Sequence, residues 1–352
     1  MKLSSVVNRI NGNVDRFTTD LKYYIGGEHF ESNELAITKK GLLKENLNIL
    51  GFKFHFAFQE RDIIFMARNP HLRKAGMVMF SGLCSDASYI LRSKDENILT
   101  QEFLAVQLQS DHFWDYCESH KVGSVNFANN WSSIANYEFD LPPVEVQRKI
   151  GEKVWAAYRV KESYKKLLAA TDDMLKAKFM EMKNAASQMV SLSTICFVQK
   201  GSNLTRNNAI DGIYPVVAGG QIPSCYHNTY NREGHVISVS ASGAYAGFVN
   251  YWKNPIYASD CNTIISKSGD IVETYFVYLG LKAMQNEVYK LQKGGAQPHV
   301  YGSDLELFSF PIIEKKLQQQ FVEIATQAEA TKESLRKSIE NIDQVIKSLI
   351  NQ

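Results

Sequence analysis

The chain has 352 residues, 45% of them hydrophobic and 22% charged, with a formal net charge of +2. That length holds two or three domains with real cores, and the composition excludes a disordered chain or a strongly cationic tail. No apolar run approaches the roughly eighteen residues of a membrane span, and Met1-Lys2-Leu3-Ser4-Ser5-Val6-Val7-Asn8-Arg9 has no apolar signal core, so a cytoplasmic location without membrane contact is expected.

The five cysteines (Cys84, Cys117, Cys196, Cys225, Cys261) are scattered, with no C-x-x-C and no histidine pair at ligand spacing. That pattern argues against a disulfide framework and a structural zinc, and leaves buried, reduced thiols as the expectation. Charge is uneven: residues 141–190 carry ten Lys/Arg against six Asp/Glu, and the flanks are neutral or slightly acidic. Nucleic acid would therefore be held by local patches, with a partner supplying much of the phosphate contact.

Residues 1–140 read as a mixed α/β domain. Leu21-Lys22-Tyr23-Tyr24-Ile25 is a short strand broken at Gly26-Gly27, and residues 51–58 alternate with the period of two of a half-buried strand. Residues 62–66 and 77–80 are further strands. Thr100-Gln101-Glu102-Phe103-Leu104 opens a helix with a cap signal, its apolar positions continuing through Val106, Leu108, Phe113 and Trp114.

A proline phrase follows, Phe139-Asp140-Leu141-Pro142-Pro143, and then a long amphipathic helix at 141–189. Ile150, Val154, Ala157, Lys161, Tyr164, Leu168, Thr171, Leu175, Lys178 and Met182 keep alternating steps of three and four, a heptad seam. Such a helix of forty residues is roughly 60 Å long, which suits a spacer.

Residues 190–310 repeat the plan of the first domain at an offset of about 170. Residues 235–239 stand where 62–66 stood, and 247–251 near 77–80. Ala258-Ser259-Asp260-Cys261-Asn262-Thr263-Ile264-Ile265 parallels Cys84-Ser85-Asp86-Ala87-Ser88-Tyr89-Ile90-Leu91, and a helix at 273–291 follows. The proline phrase returns as Phe308-Ser309-Phe310-Pro311. It opens a second helix at 311–352, with a seam through Phe321, Ile324, Ala328, Thr331, Leu335, Ser338, Ile342, Val345 and Leu349. Lys161, Thr171, Lys178, Thr331 and Ser338 interrupt the two seams, so such helices need partners.

An internal repeat dictates architecture. The expected fold class is α+β: two similar mixed α/β domains (1–140 and 190–310) joined by two long antiparallel helices (141–189 and 311–352) in a coiled coil, a pseudo-twofold internal duplication.

No active site is legible. Asn254-Pro255-Ile256-Tyr257 approximates the Asn/Asp-Pro-Pro-aromatic turn of amino-methyltransferases, but isoleucine replaces the second proline and no glycine-rich donor turn precedes it. No G-x-x-x-x-G-K-[ST] loop and no H-E-x-x-H occur. No catalytic or metal-binding residue is assigned.

The arrangement resembles the specificity subunits of type I restriction-modification systems. The residues that carry the resemblance are Leu141-Pro142-Pro143-Val144-Glu145-Val146-Gln147-Arg148-Lys149-Ile150, Phe310-Pro311 with Leu317-Gln318-Gln319-Gln320-Phe321, Tyr24-Ile25-Gly26-Gly27-Glu28-His29, and Gly294-Gly295-Ala296-Gln297-Pro298-His299-Val300. The first copy departs from the last pattern, having Gly123-Ser124-Val125-Asn126-Phe127 in its place. The resemblance implies a non-catalytic subunit whose two target recognition domains each read one half of a split site in double-stranded DNA. It implies that two modification subunits dock on the helices, that a restriction subunit joins through the assembled complex, and that S-adenosylmethionine is bound by the modification subunit while this chain binds no cofactor. A coiled-coil adaptor with two protein-binding domains and a stand-alone DNA-modifying enzyme are the competing readings.

Side-chain chemistry nominates the DNA contacts. In the first domain these are Lys39, Lys40, Lys53, Arg61, Arg68, Arg73 and Lys74, since Arg suits guanine bidentately and Lys suits phosphate. In the second domain Lys200, Asn203, Arg206, Asn207 and Asn208 form a polar loop with amides suited to adenine, and Ser238, Ser240, Ser242, Tyr245, Gln297 and His299 add donors near glycine turns. The helix seam for packing and partner docking comprises Ile150, Val154, Tyr164, Leu168, Leu175, Phe321, Ile324, Leu335, Ile342, Val345 and Leu349.

Overall fold

A computed structural model describes residues 1–351, which form two compact units: Met1–Lys165 with the chain from Lys337 onward, and Lys166–Arg336. The first unit opens with a single helical turn α1 (Leu3–Val6) and the strands β1 (Val7–Ile10), β2 (Tyr23–Ile25), β3 (Ala36–Ile37) and β4 (Gly41–Leu42). After a turn α2 (Leu43–Asn46) come β5 (Phe54–Phe58), β6 (Ile63–Met66), β7 (Ala75–Val78), β8 (Gly82–Ser85) and β9 (Ser88–Ser93). Helices α3 (Gln101–Gln107), α4 (Asp111–Ser119) and α5 (Trp131–Ala135) precede the long helix α6 (Val144–Ala185). One sheet has the order β1-β9-β6-β7-β3, and a second has β4-β2-β8-β5. Strands β6 and β9 lie at the centre of the first sheet, which is why Ile63-Ile64-Phe65 and Ile90-Leu91 run as unbroken apolar, fully buried segments.

The strand expected at 51–58 begins only at Phe54, and Phe52 stands exposed in the turn before it. The strand expected at 77–80 is shifted to Ala75–Val78. Gly76 weakened its pattern, and there a Cβ would lie 3.1 Å from Ile37 Cγ1 on the neighbouring strand. The helix expected from Thr100 is two helices. Thr100 caps α3 by accepting from the Phe103 N–H, and Ser110 caps α4 by accepting from the Phe113 N–H. Gln101 is buried, donates to the Arg61 and Leu91 carbonyls, and accepts from Ser93 N–H.

The second unit repeats this order. It has β10 (Gln188–Ser191), the turn α7 (Leu192–Ile195), β11 (Cys196–Lys200), β12 (Tyr214–Val217), β13 (Cys225–His227), β14 (Val236–Ser240), β15 (Val249–Trp252), β16 (Tyr257–Ala258) and β17 (Cys261–Ser266). Then come α8 (Thr274–Ala283), α9 (Gln285–Tyr289), α10 (Gly302–Glu306), β18 (Ser309–Ile312) and α11 (Lys315–Ile350). The sheet order β11-β17-β14-β15 matches β1-β9-β6-β7, and β13-β12-β16 matches β4-β2-β8, including the parallel pairs β2/β8 and β12/β16. The first unit has the extra strands β3 and β5, for which the second has no counterpart.

The chain segment before each long helix pairs with its unit's opening residues, but the prolines stand differently: Pro311 lies within β18, whereas Pro142 and Pro143 follow the paired residues and directly precede α6. Strand β18 pairs only with β10, so the missing N–H of Pro311 interrupts no central ladder. In the first unit Phe139 N–H donates to Met1 carbonyl and Leu3 N–H to Tyr137 carbonyl. The glutamine that follows each phrase is buried. Gln147 donates to the Ile98 and Pro142 carbonyls and accepts from Thr100 N–H, while Gln318 donates to the Ile271 and Ile313 carbonyls.

Each long helix contributes one stretch to each unit's core. Val154, Trp155, Tyr158 and Ile346 join the first core, and Leu175, Phe179, Phe321, Ala325 and Ala328 the second. Within the second unit Asp172 meets Lys332 and Phe179 meets Phe321, so the helices run antiparallel. The seam of α6 follows the expected residues from Ile150 to Leu175 but continues through the fully buried Phe179, leaving Lys178 exposed in a pair with Glu181. On α11 the expected phase needs correcting. Ile324, Thr331 and Val345 are exposed, and the buried line runs through Phe321, Ala325, Ala328, Lys332 and Ile346, with Leu335, Ile342 and Leu349 half-buried. A lysine sits in that line because Lys332 is neutralised in place by Asp172 and Glu329, which a hydrophobicity pattern cannot register.

Candidate nucleic-acid interface

In the second unit, five loops converge at one end of the main sheet. Val300 N–H donates to Ala241 carbonyl and Gly243 N–H to Pro298 carbonyl, which ties residues 241–247 to a hairpin closed by reciprocal bonds between Lys293 and His299. Ala241 N–H donates to Asp260 carbonyl, and the Asp260 carboxylate accepts from the Ser242 hydroxyl. Ser202 N–H donates to Ala258 carbonyl and Leu204 N–H to Ser259 Oγ, bringing in residues 201–208. Gly219 completes the group, and only glycine fits there, since a Cβ would lie 2.5 Å from Ser242 carbonyl oxygen.

This end gathers Lys200, Asn203, Arg206, Asn207, Asn208, Ser242, Tyr245, Gln297 and His299. Lys200, Asn203, Arg206, Asn207, Asn208, Tyr245 and Gln297 are exposed, while His299 is half-buried and its ring stacks near Tyr301. Two candidates are withdrawn. Ser240 is buried with its hydroxyl donating to Gly220 carbonyl, and Ser238 is buried beneath, accepting from Trp252 Nε1. Inward-facing strand positions hold both, an alternation obscured by the run of small polar residues.

The first unit builds the same end. Asn69 N–H donates to Phe127 carbonyl, Val122 and Ala128 close a hairpin reciprocally, and Ala67 N–H donates to Ala87 carbonyl. Gly123 and Gly294 occupy matching hairpin positions at φ +109° and +94°, and Asn69 and Gly243 both lie in the left-handed region at φ +54° and +82°. Thus Gly123-Ser124-Val125-Asn126-Phe127 is the structural counterpart of the Gly-Gly-Ala-Gln-Pro stretch despite its different residues. Sequence reasoning missed Ser124, Val125 and Asn126 as loop-tip residues. The findable signal was Gly123, standing at the same distance from the following helix as Gly294.

The basic candidates of the first unit separate. Arg68 is exposed and bridges the hairpin at Ala128, Lys53 lies beside the Ser85-Asp86 turn through its carbonyl and Asp86 N–H, and Lys74 donates to Gly27 carbonyl, all at this end. Arg73 is turned to Asp111 at the start of α4, 2.5 Å away, and its guanidinium holds that carboxyl below its ordinary value. Lys40 packs over the Tyr23 and Phe80 rings at the opposite end of the strands, and Lys39 pairs with Glu31 at 2.7 Å. Arg61 precedes β6, whereas Arg68 follows it, and its guanidinium is held by Glu96 and Glu102. Strand alternation and chain reversal, invisible in a count of basic residues, separate Arg61 and Lys40 from the rest.

Among the described residues no group of His, Cys, Asp and Glu could hold a metal, and no helix is long and apolar enough to cross a membrane. All five cysteines are free; burial raises the thiols of Cys84, Cys196 and Cys261 to about 12 and that of Cys117 further, so these four are poor nucleophiles.

A family model described as the type I restriction modification DNA specificity domain matches residues 6–169 and again 185–344. The fold is similar to that of the type I restriction-modification S subunit from M. genitalium, with a TM-score of 0.62 at 14% identity over 99% of this chain and 94% of that one. It is also similar to a chain in a structure concerned with complex assembly and conformational transition of the type I R-M system, with a TM-score of 0.56 at 16% identity over 99% and 95% of the two chains. A comparison with the curated proteins finds no match. Matched once in each half and over most of its length, the chain belongs to the type I restriction-modification DNA specificity family, as a non-catalytic specificity subunit.

Proposed function

We propose that the loop-bearing end of each unit reads one half of a bipartite target in duplex DNA, and that the long helices set the distance between the halves. The observation that carries this reading is the duplicated loop end: the same hairpin, the same left-handed turn and the same turn before the central strand (Asp86-Ala87 and Ser259-Asp260) recur in both units, with different side chains at their tips. A repeated backbone with divergent tips is what two readers of different sequences require. Arg68, Lys53 and Lys74 would serve the first half-site; Lys200, Asn203, Arg206, Asn207, Asn208, Tyr245, Gln297 and His299 the second. The working division is recognition domains at 1–140 and 190–310 and spacer helices at 141–189 and 311–352.

The same helices are proposed to carry two modification subunits, which would bring S-adenosylmethionine, with a restriction subunit joining the assembled complex. Val146, Val160, Leu167 and Met174 on α6 and Leu317, Ile324 and Val345 on α11 are exposed, and on each helix they fall at a single heptad position. Apolar side chains spaced by heptads outside the buried seam are the anchors that a further helix would need.

The test is to replace residues 190–310 with the corresponding domain of another family member, and to map methylated adenines made with the same modification subunits. One half-site is expected to change while the other half and the spacer stay constant. A change in both halves would overturn the division of labour.

A further inference from the structure

The first unit carries an element with no counterpart in the second: the turn α2 and strand β5, inserted before β6. Its tip exposes Ile49 and Phe52, the latter 82% accessible, and the neighbouring loop exposes Phe17 at 65%. Single exposed apolar residues are ordinary on a protein surface, but two phenylalanines and an isoleucine in two joined loops are not. The loops are joined because the Arg16 guanidinium donates to Gly51 carbonyl and lies 4.8 Å from the Phe17 ring centroid. The Asp15 carboxylate beside them is occupied, accepting from Phe17 N–H and the Thr18 hydroxyl.

The position of this tip points to its occupant. Lys53 carbonyl accepts from Asp86 N–H, and the adjacent Ala87 carbonyl accepts from Ala67 N–H, next to Arg68, which bridges the hairpin at Ala128. Phe52 therefore stands on the same loop-bearing end as the DNA-reading loops, between Arg16 and Lys53 in the chain and continuous with the proposed interface. Apolar side chains so placed contact thymine methyl groups or wedge between base steps, while flanking cations hold the phosphates.

We infer that Phe52, supported by Phe17, is an apolar base-contacting wedge by which the first recognition domain engages duplex DNA. This rests on the proposed half-site reading. The experiment uses the chain assembled with its modification subunits and target duplexes carrying 2-aminopurine through the half-site read by the first domain. Phe52→Ala is expected to weaken specific binding about tenfold to a hundredfold, and to abolish the 2-aminopurine emission change at one step. Discrimination at the other half-site and the salt slope should be unchanged. Phe52→Leu should retain most of the binding, and because the side chain is exposed both variants should melt as the wild type does. Wild-type binding and emission by Phe52→Ala would overturn the wedge, as would loss of modification subunits from the variant, which would make the tip a protein-docking surface. A wild-type complex without half-site preference would overturn the underlying reading, and the wedge with it.

Discussion

Lys161 Nζ lies 2.6 Å from Asp343 Oδ1, and Lys332 Nζ lies 2.6 Å from Asp172 Oδ1. Each lysine sits in the buried seam of one long helix and each aspartate is on the other, and the two pairs are copies related by the internal repeat of about 170 residues. Lys161 also meets Glu34 at 2.8 Å, and Lys332 meets Glu329. A buried cation with one set of partners disfavours other alignments, because sliding the helices would take away its aspartate and leave it only Glu34 or Glu329.

Lys161→Ala is expected to lower stability by less than the roughly 3–5 kcal/mol of a stranded buried charge, because the side chain is only 5% exposed but Lys165 still reaches the 12%-exposed Glu34 at 3.0 Å. Lys332→Ala should cost less, since Asp172 and Glu329 remain largely hydrated at 62% and 44% exposure. Urea midpoints of the single and double variants check this order, and equal losses would contradict it.

The paired lysines also decide how helix insertions act. A heptad added to one helix keeps its seam in phase but moves one lysine away from its partner, so single insertions should destabilise. Matched heptads in both helices should preserve the pairs and lengthen the non-specific spacer by about three base pairs, a 10 Å rise at 3.4 Å per pair. Methylome mapping of the matched variant reads the spacer directly, and altered half-site bases would refute the assignment of spacing to the helices.

Gly123 and Gly294 separate hairpin geometry from tip chemistry. A Cβ at Gly123 would fall 2.6 Å from Asn126 carbonyl oxygen, against 3.0 Å between Gly294 and Gln297 carbonyl oxygen. Both are at positive φ, so alanine adds about 1–2 kcal/mol of strain at either site, with the larger disturbance at Gly123. Each variant should weaken recognition of one half-site only, as measured by binding to targets mutated in either half.

Gln147→Ala should destabilise the first unit by about 2 kcal/mol, because it leaves buried Thr100 N–H and two carbonyls without their partner. Gln318→Ala removes two donated bonds only and should cost less. Hydrogen exchange at the amides of residues 98–104 and 271–277 localises the two effects.

Asp111 predicts a small acid dependence. Its carboxyl is held below the ordinary value, first by the hydrogen bond from Arg73 and then by Lys347. A depressed folded-state value contributes stability that is complete above the ordinary carboxylate range and is lost as the pH falls through it and below. With the side chain 37% exposed the contribution is modest. Asp111→Asn should flatten the acid limb of the melting profile, and an unchanged limb would exclude the pair as its source.

The amino-acid sequence alone determined the duplicated plan, the two proline phrases with the glutamines that follow them, and the existence of both long helices. These features are written in local periodicity, in turn residues and in repeated order, which need no partner to be read. The clearest mark of the repeat, Lys161-Glu162-Ser163 against Lys332-Glu333-Ser334, lies inside the helices, where Lys161 reads as an interruption of one seam and Lys332 falls beside Thr331, off the expected line of the other. Tertiary structure decided the rest. It moved the α11 seam from Ile324 and Val345 to Ala325, Lys332 and Ile346, because a lysine becomes a core residue once Asp172 neutralises it. It separated Arg61 and Lys40 from Arg68 and Lys53, because antiparallel strands carry nearby residues to opposite ends of a sheet. It also equated Gly123-Ser124-Val125-Asn126-Phe127 with a stretch of different residues, because a left-handed glycine and two backbone hydrogen bonds define that hairpin and leave its tip free to vary.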